Sequence, residues 1–199
     1  RQRGTRNGEA RRQFPDAEVD YRAVFAQLEL PLAGGVTLIP GLRHDDFNYS
    51  ADNGFPDRNE NQTTPRLALG WQPSESSYFW LEYAEAFRAP SLTELYADGV
   101  HFVVPLGPGQ VVINEFVPTP LLESEQSRQF QLGARWRQAA FLNSDFALNL
   151  EATAHRSDVD NYVDQIVVFI SGEPRFDPIT RTLVFPGITT NRNVDARLQ

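Results

Sequence analysis

Side chains able to do chemistry are sparse in this chain and gather in a few places. His101 stands between Val100 and Phe102-Val103-Val104, inside a stretch that runs from Phe87 to Ser127. An imidazole flanked by apolar residues can offer a neutral nitrogen to a metal held in an apolar macrocycle, as axial haem ligation requires. It can equally be a loop histidine packed on its aromatic neighbour, and the two readings stand side by side at this point. Asp158, Asp160 and Asp164 near His155 have the donor types of a cation site. Their spacing is not that of a calcium loop, and a solvated acidic rim has the same composition. His44 with Asp45 and Asp46 is open in the same way. The sequence has no serine elbow, no phosphate-cradling glycine loop and no zinc spacing. Nothing places a pair of carboxylates in a protected cleft, so the expectation is a binding protein and not an enzyme.

His101 follows a local element that the sequence spells out. Ser91-Leu92-Thr93-Glu94 fits a capping box, in which Ser91 accepts from the amide of Glu94 and Glu94 reaches back to the amide of Ser91. Leu92, Leu95 and Tyr96 then share one face of a short helix, and Asp98-Gly99 stops it. A Pro/Gly/Val-rich run leads on to Thr119-Pro120-Leu121-Leu122-Glu123-Ser124-Glu125. The whole segment is the longest interruption in an otherwise regular β pattern. Such insertions carry binding chemistry on a rigid frame.

The frame is legible as alternation. Val24, Ala26, Leu28 and Leu30 face one way, then Val36, Leu38 and Leu42 in a second strand reaching about Tyr49. A polar loop is expected over 50–61. Leu67, Leu69 and Trp71 form a third strand, and Phe79, Leu81, Tyr83 and Phe87 a fourth. Beyond the insertion, Phe130, Leu132, Ala134 and Trp136 alternate without error against Gln129, Gln131, Gly133, Arg135 and Arg137. A turn at 138–145 precedes a sixth strand through Phe146, Leu148, Leu150, Ala152 and Ala154. A hairpin of 162–170 with 182–185 follows, and residues 191–199 read as the start of a further strand. Short and long connections take turns, as in an up-and-down transmembrane β-barrel with strands of about 9–11 residues crossing the hydrocarbon. Trp71, Trp136, Tyr78, Phe79, Trp80 and Phe146 near the short turns are expected to form an interfacial aromatic girdle. The fold class is therefore all-β: an antiparallel, partial transmembrane barrel of about seven to eight strands of a larger one. A soluble β-rich binding module, with its polar faces in water, is the alternative of another class.

Composition agrees with this. The net charge of −8 and pI near 4.9 argue against a nucleic-acid partner. Five arginines within residues 1–18 read as a solvated loop. The chain has no Cys and no Met and opens on Arg1, so a piece of a longer protein, cut at both ends, is expected.

Phe87-Arg88-Ala89-Pro90 followed by Glu94-Leu95-Tyr96 resembles the FRAP box of TonB-dependent outer-membrane receptors. Thr119 to Ser127, leading into Phe130-Gln131-Leu132-Gly133, resembles the NPNL box of the same family, with Thr119 and Leu121 in place of asparagines and Ser124 in place of a proline. Pro40-Gly41-Leu42-Arg43 and Asp160-Asn161-Tyr162-Val163-Asp164-Gln165-Ile166 extend the likeness over most of the chain. The resemblance implies that residues 1–199 are part of a twenty-two-stranded barrel whose plug domain lies outside this sequence. It implies a place in the outer membrane of a Gram-negative bacterium, in contact with its lipid, and transport energised by the TonB-ExbB-ExbD complex through parts absent here. In the haem and haemoglobin receptors of the family a histidine between the two boxes ligates haem, and His101 matches it in position. The implied cargo is haem, free or on a haem-carrying protein, with a ferric siderophore or other metal complex as the alternative. Phe87, Arg88, Ala89, Pro90, Glu94, Leu95, Tyr96, Phe102, Pro120 and Leu122 are the residues expected to support the loop, and no catalytic cofactor is implied.

Overall fold

The computed structural model describes residues 5–6, 9–10, 17–51, 54–138 and 147–198. Thr5–Arg6 (β1) pairs with Glu9–Ala10 (β2) in a small ribbon, within the region expected to be loop. The other elements are β3 (Ala17–Gln27), β4 (Leu30–Pro31), β5 (Val36–Ala51), β6 (Arg58–Ser74), β7 (Ser77–Arg88), helix α1 (Leu92–Tyr96), β8 (Gly99–Gly107), β9 (Gln110–Phe116), β10 (Glu125–Gln138), β11 (Leu148–Val168), β12 (Arg175–Asp177) and β13 (Thr182–Leu198). Among the described residues one 11-stranded sheet runs β3-β5-β6-β7-β10-β11-β13-β9-β8, with β4 paired to β5 and β12 to β13. Its wall is the run β3 to β13 of seven long strands, each antiparallel to its neighbour. The sheet does not close, so this is part of a barrel, as the alternation predicted.

The cross-strand register sorts the side chains. Leu42 opposes Pro65, Leu69 opposes Leu81, Leu81 opposes Leu132, and Leu132 opposes Ala154, which makes one continuous apolar face. Leu42, Leu67, Leu69, Leu81, Phe130, Leu132 and Leu150 are all exposed, as lipid-facing residues of a barrel must be. The other face is wet. There Arg66 donates to Glu82 at 3.0 Å and to Gln27 at 3.0 Å, and Arg135 donates to Glu151 at 2.8 Å.

The apolar face has a definite upper edge. Along each strand, away from the short turns, it passes from Leu42 to His44 and Asp46, from Phe130 to Arg128, and from Ala154 to Arg156 and Asp158. Strand β11 has 21 residues, so at about 3.3 Å per residue and a tilt near 45° it rises roughly 50 Å, twice the apolar band of about 25 Å. About half of β11, the longest strand, therefore stands above the apolar band.

Four expectations change. The segment from Arg156 onward is not a separate hairpin: β11 runs unbroken through it to Val168, and β13 runs from Thr182 to Leu198, taking in residues expected to begin another strand. The polar loop shrinks, because β6 begins at Arg58. The Phe87–Ser127 insertion holds a β-hairpin, β8 with β9, turned at Gly109 with φ 69°. The aromatic girdle divides: Trp71 and Phe79 pair outward at 5.4 Å, whereas Tyr78 and Trp80 stack at 5.8 Å over Gly70 and Gly133 on the wet face. Phe146 and the 138–145 turn lie, but for Gln138, outside the described residues.

Candidate functional site

Helix α1 forms as its sequence dictates. Glu94 N donates to Ser91 Oγ at 3.2 Å and Ser91 N donates to Glu94 Oε2 at 2.7 Å, and Gly99 leaves the helix with φ 86°. Five residues are too short to persist alone. The apolar face supplies the rest: Leu92, Leu95 and Tyr96 are buried in one cluster with Ala17 of β3, Tyr49 of β5, Leu122 and Val163 of β11. β3 and β5 are neighbours but β11 stands four strands beyond β5, so the wall curves around the helix, and the helix sits on the wet face at the long-loop end.

The two sequence boxes fasten this arrangement. Arg88 donates from Nη1 to Glu94 Oε2 at 3.0 Å and from Nε to Glu125 Oε2 at 2.8 Å, with further bonds from Nη2 to both carboxylates. Glu125 also accepts from the amide of Val163 at 2.8 Å. One guanidinium thus joins the first box, the helix and the start of β10. Burial pushes the Glu94 carboxyl up, but Arg88 and the Ser91 amide and hydroxyl outweigh it and hold the group below its ordinary range. Pro90 is buried, and its carbonyl accepts from Tyr49 Oη at 2.9 Å. The Pro120 carbonyl accepts from Arg58 Nη1 at 2.9 Å. Thr119 Oγ1 and Asn191 Nδ2 both donate to the Glu94 carbonyl, at 2.8 and 3.0 Å. Phe87 lies 5.5 Å from Phe47, Tyr96 stacks on Phe55 at 5.7 Å, and Ala89 packs against the cluster.

His101 lies on β8 at an irregularity in the ladder: Val100 pairs with Glu115 and Phe102 with Asn114, so His101 is the extra residue of a β-bulge. Bulges re-aim side chains and concentrate beside functional sites. Its ring is half-buried, 4.2 Å from Phe116 and 4.9 Å from Phe102 between ring centres, and Nδ1 is 2.9 Å from Thr189 Oγ1. Strand β9 reaches Thr189 by pairing parallel with β13, Phe116 opposite Thr189. Val100 and Val103 are exposed on the other face of the hairpin, opposite Glu115 and Ile113, so the ring's apolar neighbours are Phe102 and Phe116.

The other two clusters do not converge on a cation. Asp158 binds Arg156 and Arg197, Asp160 pairs with Arg128, and Asp164 lies 3.5 Å from Arg192. His44 contacts Thr63 at 2.8 Å, while Asp45 turns to the opposite face, to Arg43 and Tyr21. Among the described residues no group of three or more metal-ligating side chains is assembled. Glu125 as a clamp residue was not foreseen, nor were Phe116, Asn114, Thr189, Asn191 and Asn193, which accepts from the Glu123 amide at 2.8 Å and donates to its carbonyl at 2.9 Å. The last three alternate on one face of β13, a polar i, i+2 pattern that was available in the sequence.

An outward apolar belt, a charged inner face and a clamped insertion at the tall end define a transmembrane β-barrel of the outer-membrane kind. The chain belongs to the TonB dependent receptor-like β-barrel family, which matches residues 2–199. It is 29% identical over 157 residues to a Hemin receptor of Yersinia pestis, covering 78% of this chain and 23% of that protein. It is 30% identical over 166 residues to Heme/hemopexin utilization protein C of Haemophilus influenzae, covering 82% and 22%. The chain therefore spans under a quarter of the length of these relatives. Its fold is similar to that of the Serratia marcescens hemophore receptor HasR, solved with its hemophore HasA and heme, at a TM-score of 0.68 and 19% identity over 90% of this chain and 30% of that one. The Copper transporter OprC gives 0.63 at 17% identity, over 92% and 25%.

Proposed function

We propose that the chain is the ligand-binding portion of a larger outer-membrane receptor that takes up haem, free or delivered by a carrier protein, with His101 as an axial ligand to the haem iron. The barrel spans the outer membrane of a Gram-negative bacterium, and the TonB-ExbB-ExbD complex acts on parts beyond this chain. The observation that carries the reading is the setting of His101. Its ring is displayed by a bulge on an inserted hairpin, wedged between Phe102 and Phe116, and held at Nδ1 by Thr189. In such a site Nε2 binds iron while the apolar side chains meet the porphyrin face. The relatives named for hemin and heme support this cargo over the siderophore alternative.

The box residues take a separate role. Arg88, Glu94, Pro90, Leu95, Tyr96, Pro120 and Leu122 hold the insertion to the wall, and only Phe102 among the supporting residues touches the imidazole. His101→Ala in the full-length receptor is expected to abolish growth on haem as the sole iron source while leaving receptor abundance in the outer membrane unchanged. Undiminished growth at equal abundance rejects the assignment, and growth on a ferric siderophore through the same receptor supports the alternative cargo.

A further inference from the structure

The hydrogen bonds behind His101 form a chain whose direction can be read atom by atom. Asn114 Nδ2 lies 3.2 Å from the carbonyl of Val168, and a carbonyl only accepts, so the amide nitrogen must be the atom that faces it. That orientation turns Asn114 Oδ1 toward Thr189 Oγ1, at 2.5 Å. A carboxamide oxygen only accepts, so the Thr189 hydroxyl spends its single proton there. Toward His101 Nδ1, at 2.9 Å, Thr189 Oγ1 can then only accept. Asn114 and Thr189 are both 0% exposed, so water does not compete for these bonds. The space for Asn114 comes from Gly187, where a Cβ would stand 2.5 Å from the Phe169 carbonyl and 2.9 Å from Asn114 Nδ2.

We infer that Thr189 and Asn114 are positioning residues that hold the neutral His101 ring with its proton on Nδ1, leaving the lone pair of Nε2 bare for a metal. Among the described residues Nε2 makes no hydrogen bond. The inference rests on the haem-ligand reading of His101 and adds to it the device that selects the competent tautomer. Four separate strands build it: the β11 backbone at Val168, Asn114 on β9, Thr189 on β13 and the imidazole on β8. Such partners behind a ligating histidine fix its tautomer and ring angle, and their loss typically lowers metal affinity by 10- to 100-fold.

The test uses the full-length receptor titrated with ferric haem. Thr189→Val keeps the side-chain shape and removes the acceptor, and is expected to weaken binding by roughly 10- to 100-fold. Thr189→Ser restores the hydroxyl and is expected to recover most of that loss. Asn114→Leu frees the Thr189 hydroxyl to donate to Nδ1, which favours the wrong tautomer, and is expected to weaken binding at least as much as Thr189→Val. If His101→Ala binds haem like wild type, the haem-ligand reading fails and the inference falls with it. If His101→Ala loses binding while Thr189→Val keeps it, or Thr189→Ser is as weak as Thr189→Val, the inference alone is overturned. Should Thr189→Val fail to reach the membrane, ring ¹⁵N shifts of the haem-free wild-type receptor, assigned by comparison with His101→Ala, decide the matter. A protonated Nδ1 and bare Nε2 support the inference, and the reverse tautomer overturns it.

Discussion

Arg88→Ala is the perturbation that tests how the insertion is held. The guanidinium donates to two carboxylates through Nε, Nη1 and Nη2, and its side chain is 44% exposed against 24% for Glu94 and 13% for Glu125. Hydrogen bonds to charged groups contribute about 1.5 kcal/mol or more each when shielded, and roughly half that for a donor this wet, so the clamp is worth roughly 2–3 kcal/mol. Removing it also leaves Glu94 and Glu125 as uncompensated neighbours. At about 1.4 kcal/mol per tenfold change, local opening of the helix should become roughly 30- to 150-fold more frequent. Amide hydrogen exchange of the detergent-folded full-length receptor reads this at Leu95, Ala97 and Thr119, whose amides bond to the carbonyls of Ser91, Thr93 and Leu95. Protection there should fall by that factor, while the paired amides of β10 and β11 keep theirs. Arg88→Lys, which retains the charge without the fork, should fall in between. Unchanged protection in the helix, or an equal loss throughout the wall, refutes the clamp.

Three further outcomes follow from the geometry. Because the Glu94 carboxyl is held below its ordinary value near 4.5, its contribution to the helix is complete above that pH and is lost as the pH falls through the lowered value. Exchange protection of Leu95 should therefore be flat at neutral pH and drop only once the pH falls below the ordinary carboxyl range, and Glu94→Gln should remove that acid limb. At Gly133 an added Cβ would meet the Trp80 ring at 2.1 Å, so Gly133→Ala should cost about 1–3 kcal/mol and lower the folded fraction on heat-modifiability gels, with Trp80→Phe restoring it. Leu69→Arg, on the apolar face, should cost about 2–4 kcal/mol of barrel stability in lipid, whereas Gln131→Arg on the wet face should change it little. Equal effects would mean that the two faces are wrongly assigned.

The part of the frame that crosses lipid was plain in the sequence, because one face there must be apolar at every second residue. Phe130, Leu132, Ala134 and Trp136 lie outward as that rule requires, and Ser91 with Glu94 caps the helix as its spacing required. The parts that were hidden stand where water replaces lipid. Strand β11 loses its apolar period at Arg156 and still runs on to Val168, since above the bilayer both faces are wet and alternation carries no signal. The hairpin of β8 and β9 was obscured by Pro105, Pro108 and two nearby glycines, and its anchor is a parallel pairing with β13 more than sixty residues away. Periodicity cannot report such a contact. Trp80 and Tyr78 looked like girdle residues because type alone does not reveal that glycines across the wet face make room for them. Of the candidate site, His101 was visible as a residue type, while Thr189, Asn114 and Phe116 enter it only through the fold.

The central claim is that His101 binds haem iron. Titrating ferric haem into purified full-length receptor and into its His101→Ala variant, with the Soret band and the low-spin ferric EPR signal recorded together, tests it most directly. The account predicts saturable binding with an imidazole-ligated spectrum in wild type and a large loss of both affinity and that spectrum in the variant. The same Soret position, EPR signal and affinity in the two proteins would contradict it.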